Sequence, residues 1–237
     1  MTPQQVAKVR PRLVDFAGEM LGGLSRGDQR GKGELYLRGL LTDGRRKSMQ
    51  PMAERLGVDH QQLQQFITSS TWDYEQVRAN VARWGSDYIN PQAYVVDDTG
   101  FPKDGTASPC VARQYSGTLG KTGNCQIGVS VQMVTDTASL AANWRLFCPK
   151  SWDDTSIDDP AAAERVRRRR DRAKLPDGVR HREKWRLALD MLDQMTDPDD
   201  PDAWGLPKLP VVGDSGYGDA HRHRPMKASR PRSRTWP

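Results

Sequence analysis

The residues best suited to chemistry are three aspartates on two short apolar runs. Tyr94-Val95-Val96-Asp97-Asp98-Thr99-Gly100 is rich in β-branched residues and ends in two carboxylates and a glycine. Leu209-Pro210-Val211-Val212-Gly213-Asp214-Ser215-Gly216-Tyr217-Gly218 repeats the design over a hundred residues later. Short apolar runs bounded by turn residues read as buried strands. Two strands that each end in Asp can bring carboxylates from distant parts of the chain into one site, and such a site suits a divalent metal. Aspartate also caps turns where strands end, so either run taken alone has an ordinary explanation.

The elements that must position these acids follow from periodicity. Residues 93–98 form a first strand. Residues 126–135 form a second, in which Ile127, Val129, Val131 and Met133 alternate with smaller or polar residues, and residues 143–148 form a third. Short connections favour an antiparallel meander. Between the first two lies a long polar, glycine-rich passage. Residues 158–173 read as a very basic helix containing Arg165, Arg167, Arg168, Arg169, Arg170 and Arg172; residues 178–195 read as another, with Trp185, Leu189 and Leu192 as its apolar stripe. The run Arg167–Arg170 suits either a solvated helix face or a phosphate clamp. A proline-rich linker, residues 198–207, leads to the strand that ends at Asp214.

The first ninety residues read as all helix. Val6, Val9, Leu13, Phe16, Met20 and Leu24 recur at three- and four-residue steps, which predicts one amphipathic helix to about Arg30, bent near Pro11 and punctuated by Gly31 and Gly33. A second helix over residues 34–42 follows. Residues 49–56, a Gly57-Val58-Asp59 turn and a helix over residues 60–69 give the outline of a helix-turn-helix. Gln61, Gln62, Gln64 and Gln65 on the last helix can reach base edges or phosphates, although an ordinary helical hairpin has the same outline. Residues 72–84 continue helical, and Asn90-Pro91 marks the domain boundary.

Composition narrows the setting. The 237 residues are 36% hydrophobic with a formal net charge of +6 and a mean hydropathy of −0.77. No run approaches the roughly 18 apolar residues of a membrane span, and no signal-peptide core is present. Cys110, Cys125 and Cys148 lack a Cys-x-x-Cys spacing, so they are expected to be reduced thiols in a cytoplasmic protein. The charge is uneven: Arg222, Arg224, Lys227, Arg230, Arg232 and Arg234 equal the whole net charge. The basic pI is a property of the tail and is weak evidence for a polyanionic partner.

Beyond Asp98 the chain runs Gly100-Phe101-Pro102-Lys103-Asp104-Gly105, then Val111-Ala112-Arg113-Gln114-Tyr115-Ser116-Gly117-Thr118-Leu119-Gly120-Lys121, then Asn124-Cys125-Gln126. With Trp144-Arg145-Leu146-Phe147-Cys148-Pro149, Ser151-Trp152 and Val212-Gly213-Asp214-Ser215-Gly216-Tyr217-Gly218, this set resembles the insertion-sequence transposases of the DDE superfamily, over residues 36–219. The resemblance implies an α/β fold: a partial ribonuclease-H-like catalytic domain (91–219) preceded by an all-α, helix-turn-helix-like DNA-binding domain (1–90), with a basic tail (220–237). It implies that the ends of the first and fourth strands are neighbours. It implies DNA cleavage and strand transfer with Mg²⁺ or Mn²⁺, acting on insertion-sequence ends in a cytoplasmic, nucleoid-associated setting, as a monomer or a homo-oligomer.

By motif matching, Asp98 takes the first catalytic place and Asp214 the second, with Asp97 the alternative first ligand. Strand alternation lets one of Asp97 and Asp98 point inward. Lys103, Arg113, Gln114, Tyr115 and Lys121 are candidates to line a DNA groove, or else belong to a solvated loop. The family's third acid, a downstream Glu, is missing: none of the residues after Asp214 is Glu. After Asp219 there is no Leu, Ile, Val or Phe, so the expectation is a reading frame lost near Ala220, with His221 and His223 accidental, and a truncated transposase with an incomplete two-metal site, inactive alone. The alternative is a DNA-binding fragment that competes with intact enzyme. A phosphate-cradling glycine loop at residues 213–218 is disfavoured, because no Lys-Ser/Thr follows its glycines.

Overall fold

A computed structural model of the chain describes residues 2–69, 73–117, 119–214 and 217. Two compact units divide it, Met1–Val81 and Ala82–Pro237. The predicted tail, with His221 and His223, lies outside the described residues.

In the first unit the described residues form helices and no strand. Thr2 caps helix α1 (Pro3–Met20) reciprocally: its hydroxyl accepts the Gln5 N–H and its own N–H donates to the Gln5 side chain. Pro11 sits inside α1 without ending it. The single helix expected to Arg30 is instead two, because α1 stops at Met20 and α2 runs Gly27–Leu41. Gly31 and Gly33 do not break the chain; both lie within α2. A Cβ on Gly33 would sit 2.3 Å from Leu21 Cδ1 and 3.1 Å from Phe66 Cζ, so that glycine allows close packing.

Helix α3 (Met49–Leu56) ends at Gly57, whose φ of 67° gives the left-handed cap glycine favours. Asp59 then caps α4 (His60–Thr68) by accepting the Gln61 N–H at 2.9 Å. Met52, Ala53 and Leu63 are buried at this hairpin, with Leu35, Tyr36, Met49, Leu56 and Val58 packed around them. Gln61, Gln62, Gln64 and Gln65 are exposed. Helix α5 (Tyr74–Ile89) crosses the division between the units and stops where Asn90 adopts a φ of 48°.

The second unit is built on a five-stranded mixed sheet: β1 (Ala93–Pro102), β2 (Ala112–Ser116), β3 (Lys121–Val134), β4 (Ser139–Leu146) and β5 (Val211–Gly213). β3 is the spine. One of its edges pairs with β1; the other pairs with β2 through its first residues and with β4 through its last. β5 adds to the free edge of β1 in parallel, as the parallel fourth strand was expected to do. Helices α6 (Pro160–Arg172) and α7 (Lys184–Thr196) fill the crossover.

Two expectations for the strands change. The glycine-rich passage after Asp98 is not a loop: Ala112–Ser116 pairs with the front of β3 as a hairpin. Nor does β1 end at Asp98, where the first strand was expected to stop; it stays paired with β3 as far as Pro102 opposite Cys125. Gly100 serves close approach, since a Cβ there would lie 2.4 Å from Ser116 Oγ and 3.2 Å from its Cα. The apolar positions of β1 and β3 that share a face, among them Tyr94, Val96, Ile127, Val129, Val131 and Met133, are buried. Each contributes roughly 1.5–3 kcal/mol on removal from water. Helix α7 covers them with Ala188, Met191, Leu192 and Met195. Of the expected stripe Leu192 is buried, while Trp185 and Leu189 are less so, because the buried face of α7 runs through Ala188, Met191, Leu192 and Met195.

Candidate active site

Asp97 and Asp98 occupy the middle of β1, and pleat alternation sends their side chains to opposite faces. Asp98 shares the face of Tyr94 and Val96, under which α7 lies. Its Oδ2 accepts a hydrogen bond from Lys184 Nζ at 2.8 Å and lies 3.5 Å from the Tyr217 hydroxyl. Asp97 is exposed on the other face, and its Oδ1 accepts the N–H of Asp98 at 2.7 Å.

β5 delivers the third aspartate. Val96 of β1 lies opposite Gly213, and Asp214 is the next residue, so its backbone leaves the sheet level with Asp97. Tyr217 links Asp214 to the middle of β1: its N–H donates to the Asp214 carbonyl at 3.1 Å while its hydroxyl faces Asp98. Burial pushes the Tyr217 hydroxyl well above the usual tyrosine range, and the charges of Asp98, Asp214 and Asp97 push it further. It therefore remains a proton donor to carboxylate at any ordinary pH.

The donor chemistry here fits a hard divalent cation. Carboxylate oxygens are the ligands Mg²⁺ and Mn²⁺ prefer, and the Asp98 carboxylate already holds a cationic group. Among the described residues no group of three or more His, Cys, Asp or Glu side chains is gathered to bind metal.

The five groove candidates come together on the β2–β3 hairpin and the segment before it. Lys103 pairs its backbone with Asn124, donating its N–H to the Asn124 carbonyl and accepting from Asn124 Nδ2. Arg113 and Tyr115 are exposed on one face of β2; Gln114 is on the other and donates to the Cys125 carbonyl at 3.2 Å. Lys121 is exposed opposite Ser116. Among the described residues no hydrogen bond or ion pair joins them to Asp97, Asp98 or Asp214. Asp98 is level with Val129 of β3 and Arg113 with Asn124, nearer the start of that strand.

The run Arg167–Arg170 is neither a uniform solvated face nor a free clamp. Arg170 is 2% exposed and donates to the carbonyls of Trp152, Pro176 and Val179. Arg169 stacks over the Trp152 ring at 3.8 Å and reaches the Thr106 and Val111 carbonyls. Arg167 and Arg168 both pair with Glu164. Sequence reasoning also missed a second acid doublet, Asp153-Asp154. Asp153 accepts from the Thr155 hydroxyl and N–H and the His181 N–H, and Asp154 pairs with Arg180, Arg170 and Arg167. Burial alone would raise the Asp153 carboxyl, but these hydrogen bonds outweigh it and hold it at about 2. Lys184 was missed as well, since one lysine in a helix carries no signal until the fold sets it against Asp98.

No helix among the described residues is long and apolar enough to cross a membrane. Residues 19–233 match the DDE superfamily endonuclease family. A 115-residue stretch is 36% identical to the probable transposase for insertion sequence element IS701 of Microchaete diplosiphon, covering 47% of this chain and 30% of that protein. The carboxylate motifs, the mixed sheet that carries them and a match over most of the length agree: the chain belongs to the DDE superfamily endonucleases.

Proposed function

We propose that this chain is an insertion-sequence transposase polypeptide whose Asp98 and Asp214 hold the divalent metal used on DNA phosphodiesters. The observation that carries the reading is the parallel pairing of β1 with β5, which sets the backbone of Asp214, just beyond β5, level with Asp97 in the middle of β1. The order β4-β3-β1-β5, with only β5 parallel to β1, supports a ribonuclease-H-like catalytic unit. A bound Mg²⁺ or Mn²⁺ would activate the attacking oxygen and stabilise the leaving one. The chain's own residues orient and balance charge: Tyr217 donates toward Asp98, and Lys184 neutralises it. Lys103, Arg113, Gln114, Tyr115 and Lys121 would contact the DNA backbone along the hairpin.

Residues 1–90 would contribute DNA binding, 91–219 the catalytic unit and 220–237 a basic tail, in a cytoplasmic, nucleoid-associated protein. Two carboxylates supply fewer ligands than two metal ions need, so we expect metal binding with little turnover by this chain alone. A plasmid-nicking assay in Mg²⁺ and Mn²⁺ tests the enzyme. Metal-dependent nicking abolished by Asp98→Ala and by Asp214→Ala supports descent from an active nuclease. Nicking that survives either change contradicts the assignment.

A second reading, a DNA-binding fragment competing with intact transposase at element ends, draws on the first unit. The α3–Gly57–α4 hairpin exposes Gln61, Gln62, Gln64 and Gln65 on its second helix. Binding to element-end DNA that Asp98→Ala leaves intact and that changes at these glutamines lower would favour it.

A further inference from the structure

We infer that Lys184 is the resident counter-cation of Asp98, that a divalent ion takes this carboxylate only by displacing the Lys184 ammonium, and that Lys184 thereby sets the affinity of the site. The inference rests on the reading of Asp98 as a metal ligand. Three observations carry it. Lys184 Nζ lies 2.8 Å from Asp98 Oδ2, the oxygen that also faces Tyr217. The two side chains are 33% and 28% exposed, so the pair can open without unfolding its surroundings. Lys184 is the first residue of α7 and its ammonium also lies 5.5 Å from the centre of the Phe147 ring, which gives it a second place to rest when released.

The chemistry favours exchange over a permanent staple. Lysine presents a compact charge on a flexible four-carbon stem and makes a single-point contact, unlike the forked grip of arginine. A half-exposed ammonium–carboxylate pair is weak enough to yield to an ion of twice the charge. While the site is empty of metal, Lys184 offsets a carboxylate that would otherwise face the buried side chains of Val96 and Val129 unbalanced.

Mn²⁺ titration of the full chain, followed by electron paramagnetic resonance of the free ion, tests this with wild type, Lys184→Met, Lys184→Gln, Lys184→Arg and Asp98→Asn. Lys184→Met should bind Mn²⁺ about fivefold more tightly, the factor a half-exposed ion pair is worth. Lys184→Gln should follow it, Lys184→Arg should bind no more tightly than wild type, and Asp98→Asn should abolish the site. Unchanged or weaker binding in both neutral variants, with Asp98→Asn still abolishing it, overturns the role of Lys184 and makes it a staple of α7. Binding that Asp98→Asn leaves intact, or no Mn²⁺ binding by any form, overturns the metal-site reading instead. Circular dichroism keeps a misfolded Lys184→Met from standing for either result, since Lys184→Gln gives the same answer through a second side chain.

Discussion

Two acid doublets in this chain look alike as sequence and behave oppositely as structure. Asp153-Asp154 is buried, and its carboxylates are gripped by Arg170, Arg180, Arg167, Thr155 and the His181 N–H. Asp97-Asp98 splits across a strand, and the inward carboxylate meets one partly exposed lysine and one half-buried tyrosine hydroxyl. A carboxylate with its lone pairs committed to fixed donors braces a fold and has nothing left for a ligand. One that shares a single movable ammonium can trade partners. The first doublet holds the α6 region together; the second keeps one carboxylate beside a partner it can exchange.

The largest effect expected on breaking that contrast is at Arg170. Arg170→Ala leaves Asp154 and three carbonyls without their buried donor, and should cost about 3–5 kcal/mol in urea unfolding or prevent folding. A loss under about 1 kcal/mol would remove Arg170 from the structural node. Gly100→Ala should be milder, about 1–3 kcal/mol, because its Cβ would press on Ser116, whose Cβ and Cα are close to the new atom. Thermal melting of that variant checks it, and an unchanged midpoint would mean that the hairpin yields freely.

Acid titration sharpens the comparison further. The Asp153 carboxyl is held at about 2 in the folded chain against about 3.9 in an unfolded one. Folded-state depression means that its contribution is complete above the unfolded value and drains away as pH falls from about 4 to about 2. Unfolding free energy measured across that range should slope, and Asp153→Asn should flatten the slope. The smallest effect on stability is predicted at Asp98. Its half-exposed pair with Lys184 is worth under about 1 kcal/mol, so Asp98→Asn should barely move the urea midpoint while removing metal binding. A large midpoint shift would make Asp98 a second structural carboxylate.

Much of this architecture was legible because it follows local periodicity. Ile127, Val129, Val131 and Met133 announce a half-buried strand, Gly57 and Asp59 mark a turn between helices, and Val211-Val212-Gly213-Asp214 announces the closing strand. The β2–β3 hairpin was hidden because Arg113, Gln114 and Tyr115 show no apolar alternation; backbone pairing with β3 makes that strand, and its Arg113 and Tyr115 side chains face water. Gly100 misled for a related reason, since glycine signals both turns and close approach, and Ser116 decides which. Arg170 is indistinguishable as sequence from the rest of the run Arg167–Arg170, and only the carbonyls of Trp152, Pro176 and Val179 single it out. The carboxylate motif was visible; the cation that balances it arrives from α7 and was not.

The most direct test of the distinction between the two doublets is calorimetric titration of Mn²⁺ into the wild-type chain and into Asp98→Asn, Asp214→Asn and Asp153→Asn at neutral pH. Saturable binding is expected, abolished by Asp98→Asn and by Asp214→Asn and retained by folded Asp153→Asn. Binding lost in Asp153→Asn yet kept in Asp98→Asn would contradict it, and would move the metal chemistry to the other acid pair.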